Sequence, residues 1–380
     1  MKINGIKSYL DSASTTKIDK TVFKTMLPYF EEYYGNASSK HDFGEKSKQA
    51  IENSRLQVSR IINSNKEDII FTSGSTESIN YAIKGFLEAN YDKGNHIITV
   101  KTEHKAVLST CNYLETKGYE VTYLNVDKNG RILIEELRKS VKITTVLIVI
   151  MYVNNETGVI HPIKEIGAIA KEKNVTFFCD ATQAIGKIPV NIENDNIDML
   201  CFSGHKINGP KGIGVLYKKH NIELTPLIHG GSQENGNRSG TYNTPLIVGL
   251  GQACEIALRD LDKNTKKIET LKRHLFKKLN STTSVIRIPT EGSVVPHISY
   301  IKIPELESNI FIDKYKDVAL SSGSACNSEV MEVSHVIKAM FPNDTYESNY
   351  LRISLDKYST IDDIDFFIES LNKYLNLYHA

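Results

Sequence analysis

Short apolar segments alternate with helical segments along most of this chain, and the alternation restricts the folds that are open to it. Strands are predicted at residues 69–72, 95–100, 120–124, 146–153, 175–179 and 199–202. The segment 146–153 is almost entirely apolar, which is typical of a strand buried on both faces of a sheet. Strands that alternate with helices favour a mostly parallel sheet with right-handed crossovers, which places the carboxyl ends of the strands on one side. We therefore expect an α/β fold.

Polar residues follow most of these strands at the point where the strand ends. They are Thr76, His104, Asn155, Asp180 with Gln183, and Ser203 with His205 and Lys206. Ligands of α/β proteins bind in the crevice outside the carboxyl ends of the strands. The repeated appearance of polar side chains at this edge therefore predicts a binding site there.

Lys206 is the candidate for covalent chemistry, because it directly follows an apolar strand and a Ser-Gly break. A lysine that is partly removed from water can lose its proton and form a Schiff base with a carbonyl group. A lone lysine is more often a solvated surface residue. The prediction for Lys206 therefore depends on the polar residues around it.

A second feature of the same edge is an anion site in residues 67–89. The strand at 69–72 breaks at Ser73-Gly74, and apolar residues then recur at helical spacing. Free backbone N–H groups at the start of such a helix attract an anion, and Ser75 and Thr76 add hydroxyl donors. Alternatively, Ser75 only caps the helix. The spacing excludes a P-loop, which requires Gly-x4-Gly-Lys.

The 5 cysteines of the chain contain no Cys-x-x-Cys pair and have no regular spacing. This pattern argues against a disulfide framework and against a metal site, and it fits a reducing cytoplasm. Cys326 lies in a stretch of small residues where a thiolate can act as a nucleophile. The other four lie in apolar segments and are predicted to be inert: Cys111, Cys179, Cys201 and Cys254.

The overall composition is that of an ordinary globular protein, with 40% hydrophobic and 24% charged residues and a formal net charge of +1. This balance gives no electrostatic reason to expect nucleic acid or an acidic membrane as a direct partner. No apolar run approaches the ~20 residues that span a bilayer, and the N-terminus lacks a secretory core. We expect a cytoplasmic protein.

Two domains are predicted. Residues 12–255 form the large domain with the parallel sheet, and residues 1–11 and 256–380 form a smaller α+β domain. Strands at 299–303, 318–321 and 351–355 with helices between them indicate the second domain. It carries the loop of Cys326, at about residues 321–333.

A Schiff-base lysine, an acid and a helix N-terminus for a phosphate are together what pyridoxal phosphate requires. At this level of detail the chain resembles the NifS/IscS-type cysteine desulfurases of the class V aminotransferase group, from about residue 9 to residue 371. The motifs that carry the resemblance are 72–78 (TSGSTES), 102–107 (TEHKAV), 153–158 (VNNETG), 180–183 (DATQ), 203–206 (SGHK), 238–241 (RSGT) and 321–326 (SSGSAC). The resemblance implies the aspartate aminotransferase-like fold of pyridoxal-phosphate-dependent transferases, with a seven-stranded sheet in the large domain.

The resemblance also implies how the cofactor is held. Lys206 binds it covalently, Asp180 pairs with the pyridine nitrogen, Gln183 contacts the ring hydroxyl, and His104 stacks on the ring and exchanges protons with thiols. The residues implied to hold the phosphate are Ser75, Thr76, Ser203 and His205, together with Thr241 from the second subunit of a homodimer.

The implied substrate is L-cysteine. Its carboxylate is bound by Asn155, which also contacts the cofactor, and by Arg352, with Asn36 as a further candidate. Cys326 takes the sulfur as a persulfide, leaving L-alanine, and passes it to an acceptor protein. The pathway stays open between iron–sulfur cluster assembly, tRNA or cofactor thiolation and DNA phosphorothioation.

Two other functions remain open at this stage. Another class V enzyme, such as a selenocysteine lyase or an aminotransferase, shares Lys206 and Asp180 but does not require Cys326 in a mobile loop. A non-catalytic docking platform shares the fold but has no chemical need for the lysine, the acid and the phosphate site.

Overall fold

The computed structural model of the chain describes residue 5 and residues 7–322, 334–344 and 348–378. Cys326, and with it residues 323–333 of the loop predicted at about 321–333, lies outside the described residues. In the described part of the chain, no helix is both long and apolar enough to cross a membrane.

The strands of the described chain are short, and they are β1 (Ser8–Tyr9), β2 (Ile69–Thr72), β3 (His96–Val100), β4 (Glu120–Leu124), β5 (Thr145–Val149), β6 (Thr176–Asp180), β7 (Met199–Ser203), β8 (Gly214–Lys218), β9 (Ile286–Ile288), β10 (Ile298–Lys302), β11 (Val318–Ala319) and β12 (Tyr350–Ser354). The predicted strands at 69–72 and 120–124 are confirmed at both ends. The strand predicted over 146–153 is too long, because the chain leaves the sheet after Val149 although residues 150–153 stay buried.

The helices are α1 (Lys20–Met26), α2 (Pro28–Glu31), α3 (Asp42–Ile62), α4 (Ser75–Asn80), α5 (Phe86–Ala89), α6 (Lys105–Glu115), α7 (Ile134–Ser140), α8 (Ile163–Glu172), α9 (Thr244–Arg259), α10 (Leu261–Thr282), α11 (Ser308–Lys314), α12 (His335–Met340) and α13 (Ile361–Tyr378). A π-helical segment, Tyr81–Gly85, joins α4 to α5, so that one helical rod follows β2.

The main sheet has 7 strands in the order β2-β8-β7-β6-β5-β3-β4. The strand pairs from β7 to β4 are parallel, and β8 runs antiparallel to both of its neighbours. The prediction of a mostly parallel seven-stranded sheet in an α/β fold is therefore confirmed.

Both faces of this sheet are covered. Along β3 and β5, successive side chains enter two different apolar clusters: Ile97 and Leu147 pack in one, and Ile98 and Ile148 pack in the other. Side chains of a strand alternate between the two faces of a sheet, so each cluster marks one face. Strands buried in this way read as continuous apolar runs, which is why the sequence predicted them.

A smaller sheet, in the order β12-β10-β9, is antiparallel. A third apolar cluster contains residues from 268 to 375, and Leu10 packs into it. β1 pairs in parallel with β11, so that the N-terminus packs with the C-terminal third. These contacts support the proposed division into residues 12–255 on one side and residues 1–11 with 256–380 on the other. Residue 255 lies inside α9, and we propose Asp260, where α9 meets α10, as the boundary.

Candidate active site

A cavity of about 1270 Å³ lies at the carboxyl edge of the parallel strands. Most of the predicted site residues line it, namely Ser75, Thr76, His104, Asn155, Asp180, Gln183, Ser203, His205, Lys206 and Arg352. Asn36 and Thr241 are not among its lining residues. The fold thus brings together in one place the polar ends of β2, β3, β5, β6 and β7.

Lys206 lies in a single turn, Gly204–Lys206, that follows β7. Its Nζ donates hydrogen bonds to the carbonyl oxygens of Ala13 at 2.6 Å and Ser14 at 2.7 Å. Burial and the positive charge of Arg352, against the opposing charge of Asp180, lower the pKa of the Lys206 amine to about 8. A substantial fraction of the amine is therefore neutral near physiological pH, which nucleophilic chemistry requires.

Asp180 is the last residue of β6 and is buried. Its Oδ1 accepts hydrogen bonds from the Thr182 backbone N–H at 2.9 Å and from the Cys201 Sγ at 3.6 Å. Cys201 lies opposite Asp180 in the parallel register of β6 and β7. These contacts fix the carboxylate at the cavity wall, where it can pair with a protonated ring nitrogen.

The turn after β2 has the features of a phosphate site. Gly74 has a φ of +156°, a conformation that side chains rarely adopt, and Ser75 begins the helical rod. A Cβ on Gly214 would lie 2.5 Å from the Gly74 Cα, so only glycine at 214 lets this turn approach β8. The Ser75 and Thr182 hydroxyls are 2.7 Å apart. Backbone N–H groups and hydroxyls therefore converge at the start of the rod.

Ser203 and His205 complete this side of the cavity. The Ser203 hydroxyl donates to the Ile213 carbonyl at 3.3 Å, and His205 Nδ1 lies 3.1 Å from the Thr15 hydroxyl. Burial and the charge of Lys206 together lower the pKa of His205 to about 4. His205 is therefore neutral at pH 7, and it can contribute a hydrogen bond but no charge.

His104 caps α6: its Nδ1 accepts a hydrogen bond from the Ala106 N–H at 3.1 Å. This bond leaves the proton of the neutral ring on Nε2. The His104 ring lines the cavity. Burial by the surrounding protein lowers the pKa of His104, because the charged ring loses contact with water. The neutral imidazole can therefore exchange protons with a ligand near pH 7.

Arg352, on β12, is held by three contacts. Its guanidinium donates to the Asn155 carbonyl at 2.9 Å, to Asp11 Oδ1 at 2.9 Å and to the Ser14 hydroxyl at 2.6 Å. A guanidinium has five N–H groups, so it keeps donors for a further anion. The sequence motifs assign no role to Asp11 and Ser14. The available signal is the polar run from Asp11 to Thr16.

Gln183 and Asn36 have other partners in the described structure. Gln183 Nε2 donates to the Ala13 carbonyl at 2.9 Å, the same oxygen that accepts from Lys206. Asn36 Oδ1 accepts from the Ser38 N–H at 2.9 Å in its own loop. Their predicted contacts to the ring hydroxyl and to the substrate carboxylate remain predictions, as does the reach of the exposed Thr241 into a second subunit.

The donor set of the cavity fits pyridoxal phosphate. Lys206 supplies an amine of lowered pKa for the aldehyde, Asp180 supplies a carboxylate for the pyridine nitrogen, and the turn at Gly74 supplies N–H and hydroxyl donors for the phosphate. When bound there, the cofactor would be held by Lys206, Asp180, Ser75, Thr76, Ser203 and His205.

Comparisons with known proteins agree with this assignment. The aminotransferase class-V family model matches residues 8–367. A cysteine desulfurase IscS of Methanosarcina thermophila is 44% identical over 367 residues, which cover 95% of this chain and 90% of that protein. Among solved structures, a NifS-like protein superimposes with a TM-score of 0.91 at 36% identity, covering 98% of this chain and 100% of that one. A structure of SspA in complex with cysteine gives a TM-score of 0.83 at 35% identity, covering 93% and 100%.

The sheet, the lysine and the acid at its carboxyl edge define a pyridoxal-phosphate-dependent enzyme of fold type I. Within that class, the chain belongs to the class-V aminotransferase family, in the group of the cysteine desulfurases.

Proposed function

We propose that this chain takes the sulfur from L-cysteine, releases L-alanine and carries the sulfur as a persulfide on Cys326 to an acceptor protein. The observation that carries the proposal is the arrangement of Lys206 and Arg352 in one cavity, whose wall continues into the segment that leads to Cys326. An amine of lowered pKa and a guanidinium with remaining donors are what an amino acid substrate requires.

The residues have separate tasks. Pyridoxal phosphate, when bound, withdraws electrons from the amino acid and thereby weakens its carbon–sulfur bond. Lys206 holds the cofactor and moves the proton at the substrate Cα. Arg352 and Asn155 orient the substrate carboxylate, and His104 Nε2 exchanges the proton of the substrate thiol. The rigid contacts of Arg352 to Asp11 and Ser14 support this orientation.

Sulfur transfer needs no external oxidant or reductant. The Cys326 thiolate attacks the sulfur of L-cysteine, an S–S bond forms and the Cβ–S bond breaks. The electron pair of the broken bond stays with the carbon skeleton, which takes up a proton at Cβ. L-Cysteine and an enzyme thiol thus become L-alanine and an enzyme persulfide.

The position of Ser322 supports a role for Cys326. The Tyr300 hydroxyl donates to the Ser322 carbonyl at 3.3 Å, and Ser321 pairs with Arg352. Cys326 follows Ser322 by four residues in the sequence. The segment that leads to Cys326 therefore starts at the wall that carries Arg352.

We also propose a homodimer in which Thr241 completes the site of the second subunit. Exposed large apolar side chains cluster between residues 23 and 43, and each is 42–70% exposed in the single chain: Phe23, Leu27, Phe30, Tyr34 and Phe43. Such a group of exposed apolar residues supports a surface that a second subunit covers. Phe30→Asp should shift the protein toward monomer in sedimentation velocity. The control Leu377→Asp changes a residue that is equally exposed, on α13, and should not. Equal sedimentation of both variants and the wild type would contradict the proposed surface.

The experiment that tests the function supplies L-cysteine to the cofactor-loaded protein and measures L-alanine and the persulfide, which is trapped by alkylation and located by mass spectrometry. Cys326→Ala should bind the cofactor but release no alanine. The control Cys254→Ala removes a thiol that is buried in α9 and should stay active. Alanine release by the Cys326→Ala variant would favour another class V enzyme, and failure of the wild type to bind the cofactor would favour a docking platform.

A further inference from the structure

The chain segment that contains Cys326 is fastened to the cavity wall at its N-terminal end. The Arg352 N–H donates to the Ser321 carbonyl at 2.7 Å, so that Ser321 extends the strand pairing of β12. Arg352 in turn donates from its guanidinium to the Asn155 carbonyl. Ser321, at the start of the segment, is therefore connected through Arg352 to the turn that follows β5.

The turn that follows β5 also holds the C-terminal end of the segment that contains Cys326. The Ser334 hydroxyl oxygen accepts from the N–H groups of Val336 and Ile337, at 3.1 and 3.3 Å, and so caps α12. The hydroxyl hydrogen of Ser334 is not used in these bonds, and the hydroxyl donates it to Glu156 Oε2 at 2.5 Å. A second contact fixes the next residue: His335 Nε2 donates to the Glu103 carbonyl at 2.8 Å.

Glu156 is 4% exposed and has no carboxylate-binding cation at hydrogen-bond distance among the described residues. Burial raises the pKa of Glu156 to about 7, against the opposing charges of Arg352 and Lys105. A buried carboxyl group that is not paired destabilises a fold unless its contacts compensate. Helix capping by Ser334 alone does not require Glu156, because the capping bonds run to Val336 and Ile337.

We propose that Glu156 is a positioning residue for sulfur transfer, which acts through Ser334 to fix the point where the Cys326 segment rejoins the active-site wall. Neighbouring residues of one turn then contact both ends: Asn155 accepts from Arg352, whose backbone N–H bonds to Ser321, and Glu156 accepts from Ser334. The inference rests on the proposed function of Cys326. Because Cys326 is joined to Ser334 through the chain, we expect loss of the second contact to lower the effective concentration of the thiol at the substrate.

The contact does not depend on the charge of Glu156. The Ser334 hydroxyl is the donor, and both a carboxylate and a protonated carboxyl group offer an oxygen acceptor. Glu156→Gln keeps an amide oxygen at the same position, whereas Glu156→Leu keeps only the approximate volume. Removal of one partner of a buried hydrogen bond costs about 1–3 kcal/mol of stability, so a second reaction that needs the folded site but no thiol is required to separate positioning from folding.

The experiment uses the full-length, cofactor-loaded protein and follows two reactions. Exchange of the L-alanine Cα proton in D₂O, followed by NMR, needs Lys206 and the cofactor but no thiol. Persulfide formation on Cys326 from L-cysteine, followed by rapid quench and mass spectrometry, needs both. We expect Glu156→Leu to leave Cα exchange within about twofold and to slow persulfide formation about tenfold or more, since a 1 Å misplacement can change a rate by ~10²-fold. Glu156→Gln should restore the rate, and Ser334→Ala should reproduce the loss.

Equal persulfide formation in Glu156→Leu and the wild type would overturn the inference, and so would a parallel fall of both reactions or a failure of Glu156→Gln to restore the rate. A further measurement separates the inference from the proposed function. Alkylation of Cys326 by iodoacetamide without substrate requires no desulfurase chemistry, and the described cysteines are all buried and react slowly. If the contact between Glu156 and Ser334 positions the segment, Cys326 should be alkylated faster in Glu156→Leu than in Glu156→Gln. Absence of persulfide in the wild type would contradict the proposed function. Equal alkylation rates in Glu156→Leu and Glu156→Gln would contradict the positioning role of Glu156.

Discussion

The pH dependence of cofactor capture by Lys206 tests the electrostatics of the cavity. Only the neutral amine can attack an aldehyde, and the structure lowers the pKa of Lys206 from 10.5 to about 8, mainly through burial. Each pKa unit changes the ratio of neutral to charged amine tenfold, so the neutral fraction near pH 7 is roughly 300-fold larger than that of a solvated lysine.

The direction of the effect follows from the sign of this shift. The capture rate should rise with pH while the amine loses its proton, and it should level off above pH 8, whereas a solvated lysine would give a rate that still rises at pH 10. The assay mixes cofactor-free protein with pyridoxal phosphate in a stopped-flow instrument and follows the visible absorbance. Nα-acetyl-lysine, treated in the same way, corrects for the titration of the cofactor itself.

Arg352→Gln gives a second arm of the same test. The charge of Arg352 is the second cause of the lowered pKa, after burial. Its removal should therefore move the midpoint to higher pH, but the midpoint should stay below that of the model amine, because burial persists. A wild-type capture rate that continued to rise up to pH 10, or an acid shift in Arg352→Gln, would refute the reasoning.

Three further predictions follow from the packing around the site. Gly214→Ala places a Cβ 2.5 Å from the Gly74 Cα, so it should lower both cofactor affinity and stability, by about 1–3 kcal/mol in thermal unfolding, and an unchanged affinity would speak against the close approach. Glu234→Ala leaves the buried Arg55 guanidinium without its bidentate partner and should cost about 3–5 kcal/mol in urea denaturation, while Arg55→Met/Glu234→Leu should cost less; an equal or larger loss in the double variant would contradict this account. Asp180→Asn should reduce alanine release about 10²–10³-fold without preventing covalent capture of the cofactor, and full turnover would exclude the assigned role.

The strands were predictable where a buried strand gives an apolar or alternating pattern that ends at polar residues. β2 and β4 were placed at their ends, because polar residues terminate their apolar or alternating patterns. The end of β5 was missed, since residues 150–153 are as buried outside the sheet as Thr145–Val149 is within it, and burial alone does not report hydrogen bonding. The predicted domain boundary near residue 255 lies inside α9, and the division into domains stays a prediction.

The site was predictable to the extent that its residues follow consecutive strands. Asp180 is the last residue of a strand, Lys206 and His104 follow strands within four residues, and parallel strands deliver all three to one edge. The contacts of Asp11 with Arg352 and of Glu156 with Ser334 join residues 341 and 178 positions apart. Such pairs depend on how the smaller sheet packs against the larger one, and no local pattern in a single sequence encodes that packing.

The antiparallel strand β8 has a consequence for the dimensions of the active site. It lies between β2 and β7, so the phosphate turn and the Lys206 turn start two strand spacings apart, about 9–10 Å. Backbone hydrogen bonds across β8 determine this width, and side-chain replacement leaves them in place. Substitutions in the loops beyond the strands can therefore alter the chemistry of a relative while the two attachment points of its coenzyme keep their separation.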